Sequence, residues 1–166
     1  GTSIRWDPAV YKSIDQQLAS LYGKNVVLVG DSIMYGSHMS DYHEGNRVII
    51  TKNGVTYKNN TSTIVWSYAF SNYLTSQYGC NVLNQSFPGC SYNDVTNNLS
   101  TLIPADRDIA ICLLGVNDWG NPVTIRTHMA SITNYCKTNN IIPIFITPYP
   151  AIDYQAELAQ IRGYMK

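Results

Sequence analysis

Residues 25–32 read Asn-Val-Val-Leu-Val-Gly-Asp-Ser (NVVLVGDS), and this stretch decides the fold. A short run of β-branched and apolar residues that ends in glycine predicts a buried strand. Ser32 would then stand at a strand-to-helix turn, with its hydroxyl above the sheet edge and the free N–H groups of a helix start nearby. A serine in that place suits a nucleophile, although Asp-Ser is also an ordinary pair at the start of a helix.

The rest of the chain alternates between strand and helix patterns. Three more strand-like runs follow the first, at residues 81–84, 108–115 and 141–147, and apolar residues recur at helical spacing over residues 10–21, 66–74, 125–136 and 154–165. Strands that are apolar on both faces and alternate with amphipathic helices are typical of a parallel sheet covered on both sides. We therefore expect a single α/β domain over residues 1–166, since no repeat or linker divides the chain.

A β-hairpin is predicted between the first strand and the second helix. Residues 47–51 and 55–58 are short β-like runs on either side of Lys52-Asn53-Gly54. Asn-Gly between two such runs is a strong hairpin signal. Because ligands bind at the carboxyl ends of the strands in this architecture, we expect the hairpin to lie beside the ligand site.

The composition narrows the range of functions that the chain can have. Apolar residues make up 45% of the chain, charged residues make up 13%, and the formal net charge is zero. A neutral chain gives no electrostatic support for binding nucleic acid or an anionic membrane, and no apolar run is long enough to span a bilayer. We expect neither a metal nor another cofactor, because the cysteines lack metal-ligand spacing. Cys112 should be a small buried apolar residue, and one disulfide among the other three, Cys80, Cys90 and Cys136, stays open.

Two further motifs carry potential chemistry. Asn84-Gln-Ser-Phe-Pro-Gly89 follows the second strand, and its glycine either lets a backbone N–H approach a ligand or serves a simple turn. Gly115-Val-Asn117-Asp118 follows the third, where the Asn117 amide can donate to a developing negative charge while Asp118 caps the following segment. Each motif comes directly after a predicted parallel strand, so all three should meet at one edge of the sheet.

In this order, G-D-S, N-x-x-x-x-G and G-x-N-D resemble the first three sequence blocks of the SGNH/GDSL hydrolase family. Trp66, in the predicted helix between the first two blocks, also resembles members of that family. The resemblance covers residues 25–150 and implies a three-layer α/β/α fold with flavodoxin-like strand order. It implies that Ser32 attacks the acyl carbonyl of an ester. The N–H groups of Ser32 and Gly89 and the amide of Asn117 would hold the oxyanion. Asp31 would shape the turn.

The fourth block of the family, D-x-x-H, does not occur in the sequence. Its His deprotonates the serine, and its Asp orients the His. His38, His43 and His128 stand elsewhere, and Asp153 has no His three residues on. The last predicted helix has no strand after it. We therefore expect the natural domain to continue beyond Lys166, or a second chain to supply the Asp–His pair, and the chain alone to be nearly inactive.

The leading expectation is a short-acyl esterase acting on a small ester or an acylated carbohydrate, such as a carbohydrate O-acetylesterase. A polar surface rich in Tyr and Asn and the polar hairpin favour a sugar. Lipase and thioesterase activities of the same family stay open. From another class, a catalytically deficient binding or structural module fits the missing block. A nucleotide binder fits least, because the loop after the first strand lacks a glycine-rich phosphate cradle.

Overall fold

The structure, a computed structural model, describes residues 20–36, 44–60, 66–118 and 122–146. The last predicted helix and most of the first lie outside these residues. Six strands occur within them: β1 (Asn25–Gly30), β2 (Glu44–Lys52), β3 (Val55–Asn60), β4 (Asn81–Asn84), β5 (Ile109–Leu113) and β6 (Ile142–Ile146). The helices are α1 (Ser32–Tyr35), α2 (Trp66–Tyr78), α3 (Tyr92–Asn97), α4 (Leu99–Leu102) and α5 (Pro122–Thr138). None of these helices is long and apolar enough to cross a bilayer.

The larger sheet is parallel throughout and has the strand order β4-β1-β5-β6. This is the flavodoxin-like order that the sequence resemblance implies. The strand order reverses between β1 and β5, and a ligand crevice forms outside the carboxyl ends of the strands at such a point. Ser32 follows β1, and Asn117 follows β5, so both motifs flank that crevice.

Alternate residues of the strands enter two separate cores. On one face, Val27 and Val29 of β1 and Ala110 and Cys112 of β5 pack in one cluster with buried residues of α3 and α5. On the other face, Val26, Leu28, Ile109, Ile111 and Leu113 pack with Met34 of α1 and Leu74 of α2. The predicted three-layer α/β/α architecture is therefore confirmed. Cys112 is fully buried as expected, and the four cysteines are all free thiols.

The outer strand β6 is less covered than its apolar sequence suggests. Its residues Ile142 and Ile144 are 61% and 41% exposed, so among the described residues the burial on both faces seen for β1 and β5 does not extend to β6. The physical reason is that β6 is the edge strand of the described sheet, and no described helix covers that side of it. A cavity of about 340 Å³ lies on the α2 face beside it, and its lining is apolar: Leu21, Val26, Phe70, Tyr73, Leu74, Tyr78, Ile109, Ile111, Ile144 and Ile146.

The hairpin β2–β3 forms as predicted. Asn53 and Gly54 connect the strands with φ angles of 51° and 77°, and Lys52 pairs with Val55 across the turn. Positive φ at both central residues is the type I′ geometry that Asn-Gly favours, because its twist matches that of the strands.

Gly30 closes β1 because a larger residue does not fit there. A Cβ atom on Gly30 would lie 2.5 Å from Cβ of Met34 and 3.0 Å from the carbonyl oxygen of Leu113. The glycine thus lets α1 and β5 approach the end of β1 closely. That approach sets where the chain turns at Ser32.

Candidate active site

The turn at Ser32 is held by its preceding residue. Asp31 is the N-cap of α1, and its side chain accepts a hydrogen bond from the N–H of Ile33 at 2.8 Å. Ser32 is the first residue of α1 and is half-buried. The helix ends after one turn at Gly36, which has a φ of 73°. Any oxyanion stabilisation here would therefore depend on individual N–H groups rather than on the dipole of a long helix.

Asp31 itself is 1% exposed. Burial raises the pKa of its carboxyl group, while hydrogen bonds from backbone N–H groups lower it. Its Oδ2 atom has no hydrogen-bond partner within the described ranges. The buried position fits the expected role, in which Asp31 shapes the turn and does not touch substrate.

Gly89 lies in a type II β-turn. The N–H of Cys90 donates to the carbonyl oxygen of Phe87 at 3.2 Å, Pro88 is the first central residue, and Gly89 has a φ of 74°. The turn uses the N–H of Cys90, so the N–H of Gly89 is left without an acceptor in the part of the chain that is described. Nothing lies within 4 Å of the point where a Cβ atom on Gly89 would be, so there is room for a ligand beside it.

Asn117 is exposed and lies in a turn closed by the N–H of Asp118, which donates to the carbonyl oxygen of Gly115 at 3.3 Å. Its side-chain nitrogen donates to the carbonyl oxygen of Cys90 at 3.0 Å. An amide NH₂ group has two hydrogens, so this bond orients the group and leaves one hydrogen for a ligand. The same bond joins the loop after β5 to the loop after β4.

The loop after β4 is also joined to the end of β1. The N–H of Phe87 donates to the carbonyl oxygen of Gly30 at 3.0 Å. The loops that carry Ser32, Gly89 and Asn117 therefore lie side by side at one edge of the sheet. The roles of these three residues stay predictions.

Asp118 binds the start of α3. Its carboxylate accepts the N–H of Tyr92, the first residue of α3, at 3.0 and 3.2 Å. The segment that directly follows Asp118 lies outside the described residues. Sequence reasoning looked only at chain neighbours and missed Tyr92, because the fold brings together residues that are 26 positions apart.

The surroundings of Asp118 disfavour its negative charge. Burial raises its pKa to about 6, and the carboxylates of Asp94 and Asp31 raise it further, whereas Lys52 and the hydrogen bond from Tyr92 act in the opposite direction. The carboxyl group thus changes protonation state within a mildly acidic range.

We expect this carboxyl group to make folding stability fall as pH rises from about 4 to about 6. Its pKa is about 6 in the folded chain and 3.8 as a free group, so the folded state holds more protons in that range. The effect should be about 1–2 kcal/mol after allowance for solvent screening. Urea unfolding of wild type and Asp118→Asn across this range measures it, because asparagine keeps the acceptor for Tyr92 and should flatten the slope. Asp106→Asn is the surface control, and equal slopes for wild type and Asp118→Asn would contradict the expectation.

The hairpin lies against this edge of the sheet, as the sequence predicts. Nζ of Lys52 donates to the carbonyl oxygen of Gly89 at 3.1 Å. Tyr35 of α1 donates its hydroxyl to the carbonyl oxygen of Lys58 at 2.6 Å. These contacts were not predictable from sequence, because the Asn-Gly signal locates the hairpin but not what it touches.

His128 is the one histidine among the described residues. Its Nδ1 atom lies 2.9 Å from Oγ1 of Thr96, a hydrogen bond that joins α5 to α3. It is half-buried rather than on the surface, and it has a structural contact of its own. His38, His43 and Asp153 lie outside the described residues. Within the described ranges, no group of three or more His, Cys, Asp or Glu side chains is arranged to hold a metal ion.

Comparison with solved structures gives the fold. A protein of the G-D-S-L lipolytic family from Desulfitobacterium hafniense DCB-2 is 19% identical, with a TM-score of 0.62 over 86% of this chain and 69% of that one. A catalytic mutant of Axe2, an acetylxylan esterase from Geobacillus stearothermophilus, is 16% identical, with a TM-score of 0.59 over 87% of this chain and 70% of that one. TesA is 15% identical, with a TM-score of 0.65 over 85% of this chain and 70% of TesA.

No protein-family model matches the chain, and a search of curated proteins finds no match. The structural likeness agrees with the parallel sheet and the helices that pack on it. The chain therefore has the fold of the SGNH/GDSL hydrolases, as the resemblance of its motifs implies.

Proposed function

We propose that this chain is a serine ester hydrolase in which Ser32 is the nucleophile. The N–H groups of Ser32 and Gly89 and the side-chain amide of Asn117 are the proposed oxyanion donors. One observation supports this most: the hydrogen bonds that join the three loops leave the Gly89 N–H and one Asn117 amide hydrogen without an acceptor in the described structure. Likeness in fold to esterases and lipolytic proteins of the G-D-S-L type supports the same reaction class.

The proposed reaction has two steps. Oγ of Ser32 forms a bond to the acyl carbon while a base takes the hydroxyl proton, and the carbonyl electron pair moves onto oxygen. The resulting oxyanion is held by the three donors, each of which typically contributes about 3–4 kcal/mol to the transition state. The alcohol leaves with a proton, and water then releases the acid from Ser32. By resemblance, the base is the His of an Asp–His pair, and His128 is not assigned this role because it is bonded to Thr96 on α3.

A short acyl group on a carbohydrate is the proposed substrate class. The hairpin presents polar side chains of residues such as Lys52 and Arg47 toward the loops after β4, which suits hydroxyl-rich ligands. The apolar cavity of about 340 Å³ is lined by no residue of the three motifs, so it offers no acyl channel beside Ser32. One protein of similar fold is an acetylxylan esterase.

A series of p-nitrophenyl esters tests the acyl preference. We expect kcat/KM to be highest for the acetate and to fall through the butyrate to the octanoate, because the apolar cavity found among the described residues does not border the three loops. Acetylated xylo-oligosaccharides serve as the carbohydrate substrate, with acetate release as the readout. A kcat/KM that rises with acyl length would instead favour a lipase or thioesterase.

A catalytically deficient binding module is the second candidate. It is favoured by the structural contact of His128, which leaves Ser32 without a histidine partner in the described ranges. Calorimetric titration with acetylated xylo-oligosaccharides distinguishes the two. Binding without acetate release, even when imidazole is added as a base, would favour the module.

A further inference from the structure

Lys52 links the hairpin to the loop that carries Gly89. It is the last residue of β2, and its side chain is 30% exposed. Its Nζ atom donates to the carbonyl oxygen of Gly89 at 3.1 Å and to Oδ2 of Asp94 at 2.7 Å. The ion pair with Asp94 is partly shielded from solvent, since the Asp94 side chain is 12% exposed.

Asp94 extends this link to the residues after Gly89. Its carboxylate accepts the N–H of Ser91 at 2.9 Å and the hydroxyl of Ser91 at 2.8 Å. The Ser91 oxygen in turn accepts the N–H of Asp94 at 3.2 Å, and the two bonds that involve backbone N–H groups form the capping box at the start of α3. Lys52 thus contacts the chain at Gly89 directly and at Ser91 through Asp94. The segment between them contains the Cys90 carbonyl group that orients Asn117.

Other contacts fix the hairpin to the loop after β4, and they therefore also fix the backbone position of Lys52. Arg47 donates to the carbonyl oxygen of Asn84 and to Oε1 of Gln85, both at 2.5 Å. The rings of Tyr57 and Phe87 pack with centroids 5.1 Å apart. These contacts join the hairpin to the end of β4 and to the start of the turn that contains Gly89.

Gly89 needs such a restraint more than other residues would. Glycine has no Cβ atom to limit its backbone rotation, so its orientation in the turn depends on the bonds that its neighbours make. The Gly89 carbonyl group and the Cys90 N–H belong to one peptide unit, which Lys52 holds at the oxygen and the bond to Phe87 holds at the nitrogen. Loss of the bond from Lys52 would loosen this unit and the turn, and so allow the preceding peptide unit, which carries the Gly89 N–H, to rotate. Lys52 also places a positive charge beside Asp94, whose carboxylate raises the pKa of Asp118.

We infer that Lys52 is a positioning residue that holds the turn at Gly89, and through it the Gly89 N–H, in the orientation needed to bind the oxyanion. This inference depends on the proposed hydrolase function. It assigns to the hairpin a part in the reaction itself, in addition to forming a wall of the site. Neither the three motifs nor the Asp–His block includes this residue.

Two substitutions of Lys52 and one control test the inference. Lys52→Met removes the ammonium group and keeps the apolar stem, whereas Lys52→Arg keeps the charge and the donors. Lys137→Met makes the same change on an exposed residue in the last turn of α5, at the opposite edge of the sheet. With p-nitrophenyl acetate and imidazole, we expect Lys52→Met to lower kcat about tenfold with little change in KM, because the donor is misplaced rather than removed. Lys52→Arg should recover most of the loss, and Lys137→Met should match wild type.

A second measurement does not need turnover. The amide ¹H–¹⁵N and carbonyl ¹³C signals of Gly89 should shift in Lys52→Met, return toward wild type in Lys52→Arg and stay unchanged in Lys137→Met. Unchanged Gly89 signals in Lys52→Met would overturn the inference, as would a rise in KM with kcat unchanged. A different result would contradict the hydrolase proposal itself, namely equal turnover by wild type and Ser32→Ala.

Discussion

Replacing Ser32 with alanine is expected to abolish ester hydrolysis by this chain, because the hydroxyl of Ser32 is the group that would bond to the acyl carbon. Where a general base reaches the serine, the expected loss is about 10⁴–10⁶-fold in turnover. Where none does, the wild-type chain is nearly inactive at the outset, and added imidazole should raise hydrolysis by wild type above that of Ser32→Ala. Release of p-nitrophenol from p-nitrophenyl acetate, with and without imidazole, measures both cases.

Ser86→Ala is the matched control for this substitution. Ser86 lies in the loop after β4 and is fully buried, and its hydroxyl has no hydrogen-bond partner among the described residues. Removing an unpaired buried hydroxyl should leave the fold and the turnover intact. Equal hydrolysis by wild type and Ser32→Ala at every imidazole concentration would exclude Ser32 as the nucleophile.

Replacing Asn117 with alanine is expected to lower kcat about 10²–10³-fold, equivalent to about 3–4 kcal/mol, with little change in KM. The amide is proposed to bind the oxyanion, which exists in the transition state and not in the bound ester, so its loss should affect the chemical step. Steady-state kinetics with p-nitrophenyl acetate under the imidazole conditions used for Ser32→Ala measures this change.

The substitution also removes the bond from Asn117 to the Cys90 carbonyl group, so thermal unfolding must be measured in parallel. Asn93→Ala is the control, because Asn93 is an exposed asparagine in the first turn of α3. We expect Asn93→Ala to keep the wild-type kcat. A rise in KM at constant kcat in Asn117→Ala would show that the amide binds the ground state of the substrate instead.

The sheet and the edge that carries the candidate site could be predicted from local patterns. NVVLVG is apolar except at its ends and IAICL is apolar throughout, so each predicts a strand buried on two faces. They form β1 and β5, respectively. Asn53-Gly54 needs positive φ at both residues, and this requirement located the hairpin turn before any contact was known. Position directly after a parallel strand was enough to expect Ser32 and Asn117 at one edge.

The contacts between the loops could not be predicted, because they join residues that are distant in sequence. Asp118 binds the N–H of Tyr92, and Lys52 binds Gly89 and Asp94, and no local periodicity encodes such pairs. The exposure of Ile142 and Ile144 was missed for a related reason. Apolar sequence indicates that a strand prefers burial, but the neighbouring layers decide which of its faces is covered.

The central claim is that the three proposed oxyanion donors share one pocket. When several donors bind the same oxygen, each donor atom lies about 2.7–3.1 Å from it. The donated hydrogens must then lie within about 5 Å of one another, and here they belong to the Ser32 N–H, the Gly89 N–H and the Asn117 side-chain amide. Nuclear Overhauser effects between these protons in the ¹⁵N-labelled chain measure this directly, without a substrate or a base. The account predicts cross-peaks from the Ser32 amide proton to both the Gly89 amide proton and an Asn117 side-chain proton. Well-resolved signals from all three groups with no cross-peak between them would contradict it.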